Sequence, residues 1–189
     1  MKKIGLLGGT FDPPHLGHLL IAEEVYATLG LDEIWFIPSY EPPHKQKSGT
    51  RAEHRVEMVE AAIKDNPNFS INTVEIERRG KSYTIDTVKT LKTRYPAYSF
   101  YFIIGGDMVE YLPKWHRIEE LADLVQFVGV KREDYQFQTQ FPVLEVSIPR
   151  VDVSSTMIRE RIAGGRSVRY LIPDEVFYVI KEYHLYETE

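Results

Sequence analysis

The chain contains no cysteine among its 189 residues. Disulfide bonds, thiolate nucleophiles and cysteine-based zinc or iron–sulfur sites are therefore excluded. The chain also lacks any apolar run long enough to cross a bilayer, and the apolar stretch after Met1-Lys2-Lys3 breaks at once at Gly8-Gly9. These absences predict a protein without a membrane span or signal peptide, located in the cytoplasm.

Positive charge is the scarcer of the two signs. The 23 basic and 28 acidic side chains give a formal net charge of -5, which argues against nucleic acid or an anionic membrane as the partner. A small anionic ligand stays compatible, because a site can be locally positive. The length suits a single domain over residues 1–189, and the sequence leaves a homo-oligomer open.

Apolar runs alternate with segments of helical periodicity along the chain. Strands are predicted at residues 4–7, 34–37, 69–76, 100–104, 125–130 and 143–148, with helices between the first four of them and near 155–163 and 173–183. This order predicts an α/β fold with a Rossmann-like, doubly wound, mostly parallel sheet and helices on both faces. In such sheets ligands bind at the carboxyl ends of the strands, where the strand order reverses.

Two segments follow predicted strands at that edge: residues 8–18 and residues 105–107. The glycines of the first segment allow a tight turn, and His15 and His18 are three apart at a helix start, so both project to one side. With the free N–H groups and the dipole of the helix N-terminus, they predict a phosphate site that carries two imidazoles. Such donors can stabilise the charge that develops during phosphoryl chemistry.

Other interpretations of the first segment are weaker. The G-x-G-x-x-G and P-loop motifs are absent, which disfavours a hydride-transfer enzyme or a P-loop NTPase. An isolated H-x-x-H pair would be only a Gly-Pro turn with two capping histidines. A metal site of His15, His18 and Asp12 is a further alternative, but no other histidine lies close in sequence.

Residues 9–18 resemble the G-[TS]-F-x-P-x-H-x-G-H signature of the nucleotidyltransferase superfamily, and residues 153–159 resemble its second signature, [IV]-S-S-T-x-[IL]-R. Hydroxyls at the start of a helix, with an arginine one turn later, can hold phosphate oxygens, although alone they would fit a capped surface helix. The resemblance implies catalytic roles for His15, His18 and Arg159. It also implies ATP binding by Gly8, Gly9, Thr10, Phe11, His15, His18, Gly105, Asp107, Ser155, Thr156 and Arg159.

The chain is similar over essentially its full length to bacterial nicotinate-nucleotide adenylyltransferases. Residues 82–87 resemble the family's S-Y-T-x-D-T segment, residues 104–107 its I-G-x-D segment, and residues 111–115 the segment that supplies an aromatic wall. The resemblance implies transfer of AMP from ATP to nicotinate mononucleotide, with Mg²⁺ held mainly by substrate phosphates and water. The residues it implies for binding the mononucleotide are Ser39, His44, Lys45, Tyr83, Thr84, Tyr111, Trp115 and His116.

Elementary chemistry agrees with that acceptor. A pyridine ring gains affinity by stacking on an indole such as Trp115, although tryptophans are usually largely buried in cores. Thr84 begins a predicted helix, so its N–H would favour an acid over an amide. Ser39 departs from the asparagine of many relatives, and His116 stands where another aromatic is common. A phosphopantetheine or cytidylyl enzyme of the same superfamily, or a module that senses ATP without turnover, remains the alternative.

Overall fold

A computed structural model describes residues 1–43, 48–131 and 137–187. Its six strands form one sheet, and every strand pairing is parallel. The strands are β1 (Lys3–Gly9), β2 (Glu33–Pro38), β3 (Phe69–Ile71), β4 (Ser99–Gly105), β5 (Gln126–Lys131) and β6 (Val143–Ser147). Their order is β3-β2-β1-β4-β5-β6, so the strand order reverses between β1 and β4. The predicted Rossmann-like sheet is confirmed.

Helices connect the strands and cover both faces. They are α1 (Leu16–Leu29), α2 (Ala52–Ile63), α3 (Val74–Arg78), α4 (Thr84–Arg94), α5 (Gly106–Val109), α6 (Ile118–Leu124), α7 (Ser155–Ala163) and α8 (Asp174–Glu182), with a 3₁₀ turn at Leu112–Lys114. α1 ends as predicted at Gly30, which adopts the left-handed conformation at φ 56° that glycine tolerates best. Within the described ranges, no helix has the length and apolar character of a membrane span.

Successive side chains of a strand point to opposite faces of the sheet, so alternate residues belong to different hydrophobic clusters. In β2, Trp35 and Ile37 join a cluster with α4 and α6, while Ile34 and Phe36 join a cluster with α1 and α2. A third cluster, centred on Met58, packs α7 and α8 against the outer side of α2. The helices on both faces therefore bury the sheet and leave its carboxyl edge for the loops.

Two segments differ from the sequence prediction. The strand expected over residues 69–76 ends at Ile71, and residues 74–78 form α3 instead. The side chain of Asn72 accepts a hydrogen bond from the Val74 N–H at 3.1 Å, which turns the chain out of the strand and into the helix. Residues 106–124, for which no helix was predicted, form α5, the 3₁₀ turn and α6.

Candidate active site

The two predicted segments meet at the carboxyl edge of the sheet. β1 and β4 are adjacent and parallel, with Leu7 opposite Ile103, so the loops that follow them start side by side. We call residues 10–15, between β1 and α1, the histidine loop. It lies at the reversal of strand order, which is where open α/β sheets bind their ligands.

The two histidines form a compact pair at the start of α1. His15 is the N-cap residue, and its ring centroid lies 3.8 Å from that of His18. The Nδ1 of His15 accepts from the Gly17 N–H at 3.1 Å, and the Nδ1 of His18 accepts from the His15 N–H at 3.1 Å. A neutral imidazole that accepts at Nδ1 carries its proton on Nε2. Both rings can therefore present an Nε2–H donor to a ligand.

The surroundings keep His15 neutral. Its side chain is 7% exposed, and burial lowers its pKa from 6.5 to about 4. Phe11 is buried and meets the His18 ring edge-on, with centroids 4.9 Å apart. The Phe11 ring thus supports His18, and a contact from Phe11 to ATP would have to come from its backbone.

The helix N-terminus differs from the sequence prediction, which expected free N–H groups there. The N–H of Leu16 donates to the carbonyl of Leu171, that of Gly17 to the His15 ring, and that of His18 to the carbonyl of His15. These amides already have acceptors within the protein. The attraction for an anion therefore comes from the imidazoles and the helix dipole.

α7 brings the second signature onto the histidine loop. Ser154 caps the helix by accepting from the Met157 N–H at 3.1 Å, as the sequence predicted. Ser155 donates its hydroxyl to the carbonyl of Pro13 at 2.8 Å, and Arg159 donates to the carbonyl of Asp12 at 2.9 Å. A second nitrogen of Arg159 lies 3.3 Å from the hydroxyl of Thr156. The two signatures, about 140 residues apart, are thus in direct contact.

One cavity at this edge, of about 570 Å³, is lined by both histidines, and we call it the histidine cavity. Gly105 and Asp107, from the loop after β4, also line it, as does the cation Lys131. Ser155, Thr156 and Arg159 contact the histidine loop but are not part of this cavity's wall. The cavity therefore gathers the histidines, Gly105 and Asp107 from the predicted ATP site.

A second cavity, of about 330 Å³, contains Trp115 in its wall, and we call it the tryptophan cavity. Its wall includes these predicted site residues: Gly8, Gly9, Thr10, His18, Ser39, Tyr83, Thr84, Gly105, Trp115 and His116. Tyr111 is 53% exposed and does not line it. His44 and Lys45 lie outside the described residues.

The sequence left Trp115 as either a core aromatic or a stacking surface for a ligand ring, and its position has features of both. It is half-buried, and its ring meets Phe102 and Phe127 edge-on at centroid distances of 5.8 and 6.4 Å. It also lines the tryptophan cavity, where Tyr83 and His116 pair with centroids 4.7 Å apart. The core contacts therefore fix an indole that is also part of the cavity wall.

Two buried residues and one partly buried residue near the site were not predicted from the sequence. Glu75 lines the tryptophan cavity, and its carboxylate accepts from the hydroxyl of Thr87 at 2.7 Å, while burial raises its pKa. Arg55 of α2 is 2% exposed and donates to the carbonyl of Thr10 at 2.7 Å. Tyr186 donates to the carboxylate of Asp12 at 2.6 Å. No short sequence motif predicts these contacts. A charged residue inside an apolar segment, such as Glu75, is nevertheless a signal in the sequence that could have pointed to a buried polar group.

The structure does not favour the metal alternative. Asp12 turns its carboxylate to the hydroxyls of Tyr186 and Ser48, and both histidines use Nδ1 within the backbone. In the part of the chain that the structure describes, no group of three or more histidine, aspartate or glutamate side chains could hold a metal ion.

Another cavity, larger than these two, lies elsewhere. It has about 850 Å³, opens between α7 and α8, and is lined by Arg166, Arg169 and Lys181 among others. None of the predicted site residues lines it. We therefore choose the candidate site by the meeting of the two signatures at the reversal of strand order, and not by the size of a cavity.

Comparison with known proteins agrees with this placement. Residues 6–161 match the family model described as Cytidylyltransferase-like, so the fold and site define a nucleotidyltransferase of that class. A nicotinate-nucleotide adenylyltransferase of Bacillus subtilis (strain 168) is 55% identical over 189 residues, which is all of both chains. The chain belongs to the family of nicotinate-nucleotide adenylyltransferases.

Solved structures show the same fold at much lower identity. The nicotinic acid mononucleotide adenylyltransferase of Plasmodium falciparum complexed with APC has a TM-score of 0.81 at 22% identity, with 98% of each chain covered. The same enzyme complexed with NaAD has a TM-score of 0.80 at 23% identity, again with 98% of each chain covered. The architecture is therefore retained where most of the sequence has diverged.

Proposed function

We propose that the chain transfers AMP from ATP to nicotinate mononucleotide in the cytoplasm, giving nicotinate adenine dinucleotide and pyrophosphate as a step of NAD biosynthesis. One observation carries the proposal: His18 lines both the histidine cavity and the tryptophan cavity, and Gly105 does so beside it. A reaction that joins two nucleotides needs two sites that meet at the reacting phosphorus. The family membership and the relative in Bacillus subtilis support this activity.

The chemistry follows from that arrangement. ATP occupies the histidine cavity and the acceptor the tryptophan cavity. A 5′-phosphate oxygen of nicotinate mononucleotide attacks the α-phosphorus in line, and the bond from that phosphorus to the oxygen bridging to the β-phosphate breaks. Pyrophosphate leaves with the bond's electron pair, and no covalent enzyme intermediate forms. Most of the catalysis is then positioning and charge stabilisation.

The two histidines supply that stabilisation. Their Nε2–H donors are fixed by the Nδ1 hydrogen bonds, so little reorganisation is needed when charge develops on the α-phosphate. Arg159 keeps one nitrogen on the carbonyl of Asp12, and the nitrogen beside Thr156 can donate to the leaving pyrophosphate. Asp107, on the wall of the histidine cavity, accepts from hydroxyls of the adenosine.

Mg²⁺ enters this reaction with the triphosphate. The site fits that role, because Mg²⁺ favours phosphate oxygens and water, and the ion would be held mainly by these rather than by protein carboxylates. The ion neutralises negative charge on the phosphates when bound. The protein contributes the walls, the imidazoles and the guanidinium.

The tryptophan cavity suits a pyridine ring that carries an acid. Trp115 is held by Phe102 and Phe127 and offers an aromatic surface. Thr84 is the first residue of α4, so its N–H and the positive end of the helix dipole favour a carboxylate. Burial raises the pKa of Glu75 on the same wall. His44 and Lys45 remain our candidates for the acceptor phosphate.

The test is release of pyrophosphate from ATP and Mg²⁺ with nicotinate mononucleotide or nicotinamide mononucleotide as the acceptor. We expect the acid to have the higher kcat/KM, by roughly tenfold or more, because the amide leaves the donors at Thr84 without a charge to bind. Equal rates with both acceptors would contradict the assignment of Thr84. ATP binding without pyrophosphate release with any acceptor would support the sensing alternative instead.

A further inference from the structure

The histidine loop is held from outside by several elements. The contacts of Ser155 and Arg159 fix two of its carbonyls to α7, and the buried guanidinium of Arg55 fixes the carbonyl of Thr10 to α2. These contacts hold the backbone. The side chain of Asp12, three residues before the N-cap residue His15, is held by different partners.

Both carboxylate oxygens of Asp12 accept hydroxyl donors. Oδ1 accepts from Tyr186 and Oδ2 accepts from Ser48, each at 2.6 Å, and Asp12 is 8% exposed. A buried carboxylate depends on such donors, because losing one leaves an oxygen without water or a partner. Tyr186 lies 174 residues from Asp12 in sequence, so the segment after α8 reaches back to the loop.

The backbone of the segment after α8 has an unusual conformation at two residues. His184 and Tyr186 have φ angles of 50° and 64°, in the left-handed region that side chains other than glycine rarely adopt. Such backbone persists where surrounding contacts over-determine it. Leu185 and Tyr186 pack against the cluster around Met58, and burial and the neighbouring Asp12 raise the pKa of Tyr186, so its hydroxyl stays a donor.

We propose that Tyr186 is a positioning residue for catalysis: through the carboxylate of Asp12, its hydroxyl fixes the loop that presents His15 and His18 to the α-phosphate. The proposal rests on the proposed function of the two histidines. Without the hydroxyl, Oδ1 of Asp12 must find another donor, and a shift of Asp12 moves the loop that leads into His15. The histidines stabilise the α-phosphate most strongly in the transition state, whereas the rest of the two cavities supplies most of the substrate binding. Loss of the hydroxyl should therefore lower kcat and leave both KM values nearly unchanged.

Tyr186→Phe in the full chain tests this, with Tyr183→Phe as the matched control. Tyr183 belongs to the same segment, and its ring stacks on His54 at 4.2 Å, away from the histidine loop. Pyrophosphate release is followed with ATP, Mg²⁺ and nicotinate mononucleotide, well below the melting temperature of each variant. We expect kcat to fall about tenfold or more for Tyr186→Phe, with each KM within about twofold, and no change for Tyr183→Phe.

Three results would overturn the proposal. The first is an unchanged kcat in folded Tyr186→Phe. The second is a loss of kcat no larger than the loss of folded protein measured by a melting curve, which would mean that the contact only stabilises the fold. The third is an equal loss in Tyr183→Phe. If Tyr186→Phe does not fold, Ser48→Ala is measured instead, because it removes the other hydroxyl donor to Asp12. A lowered kcat with unchanged KM values in Ser48→Ala would support the proposal, and an unchanged kcat would overturn it. Failure of the unaltered chain to release pyrophosphate would instead reject the proposed function.

Discussion

At the scale of single residues, the placement of the two histidines at a helix start was predictable, but their tautomers and protonation were not. The spacing of His15 and His18 placed both at a helix start. Their tautomers depend on the hydrogen bonds to Nδ1, and the neutrality of His15 depends on its burial. Burial is set by residues far away in sequence, so local reasoning from the motif could not supply it.

The low pKa of His15 predicts a specific dependence of stability on pH. The folded state has a pKa of about 4 for this ring, against 6.5 for an unperturbed histidine, so the unfolded chain binds more protons between these values. The stability that this difference in pKa contributes is fully present above pH 6.5 and is lost as the pH falls towards 4. Between pH 7 and pH 4.5 this should cost about 2 kcal/mol of unfolding free energy.

Urea denaturation of the unaltered chain and of His15→Asn, at pH 7 and at pH 4.5, measures this pH-dependent part of the unfolding free energy. Asparagine keeps a side-chain acceptor at the N-cap position and does not titrate in this range. We expect the unaltered chain to lose about 2 kcal/mol more than the variant on acidification. Parallel losses in the two proteins would mean that His15 is protonated in the folded state near its ordinary pKa.

At the scale of elements, the long apolar strands and the helices with clear periodicity were predicted well. β1, β2, β4, α1 and α7 lie where the sequence placed them, because buried strands and amphipathic helices leave a local pattern. α3 was mistaken for strand because it is short and its charged Glu75 turns inward. The short helices between β4 and β5 have too few turns to show a period.

The first turn of α1 explains why glycine lies between the two histidines. A Cβ atom on Gly17 would lie 2.9 Å from Cε1 and 3.0 Å from Nδ1 of His15, so the imidazole would have to move. We predict that Gly17→Ala lowers kcat by roughly 10- to 100-fold, because small displacements of a catalytic group are costly. Steady-state pyrophosphate release measures it.

Thr28→Ala is the control for that substitution, since Thr28 is an exposed residue of the same helix. Its kcat should equal that of the unaltered chain, and both variants should show the same helical circular dichroism. An unchanged kcat in Gly17→Ala would mean that the position of the His15 ring is unimportant for turnover.

At the scale of the whole molecule, the sequence predicted that the segments after β1 and β4 meet at one edge of the sheet, but not which contacts hold them there. The sheet order puts the loops after β1 and β4 side by side, and α7 brings its hydroxyls and Arg159 onto the histidine loop. The contacts from Arg55 and Tyr186 join positions 45 and 174 residues apart. Such long-range pairs have no periodicity and no motif, so only the folded chain reveals them.

The central claim is that the imidazole of His18, at the junction of the two cavities, stabilises the transferring α-phosphate. The most direct test is the steady-state kinetics of His18→Ala with ATP and nicotinate mononucleotide, with His54→Ala as a control because His54 stacks on Tyr183 outside both cavities. We predict that kcat of His18→Ala falls on the order of 10²-fold or more while both KM values stay within about threefold. A His18→Ala enzyme with intact kcat and only a raised KM would contradict the account.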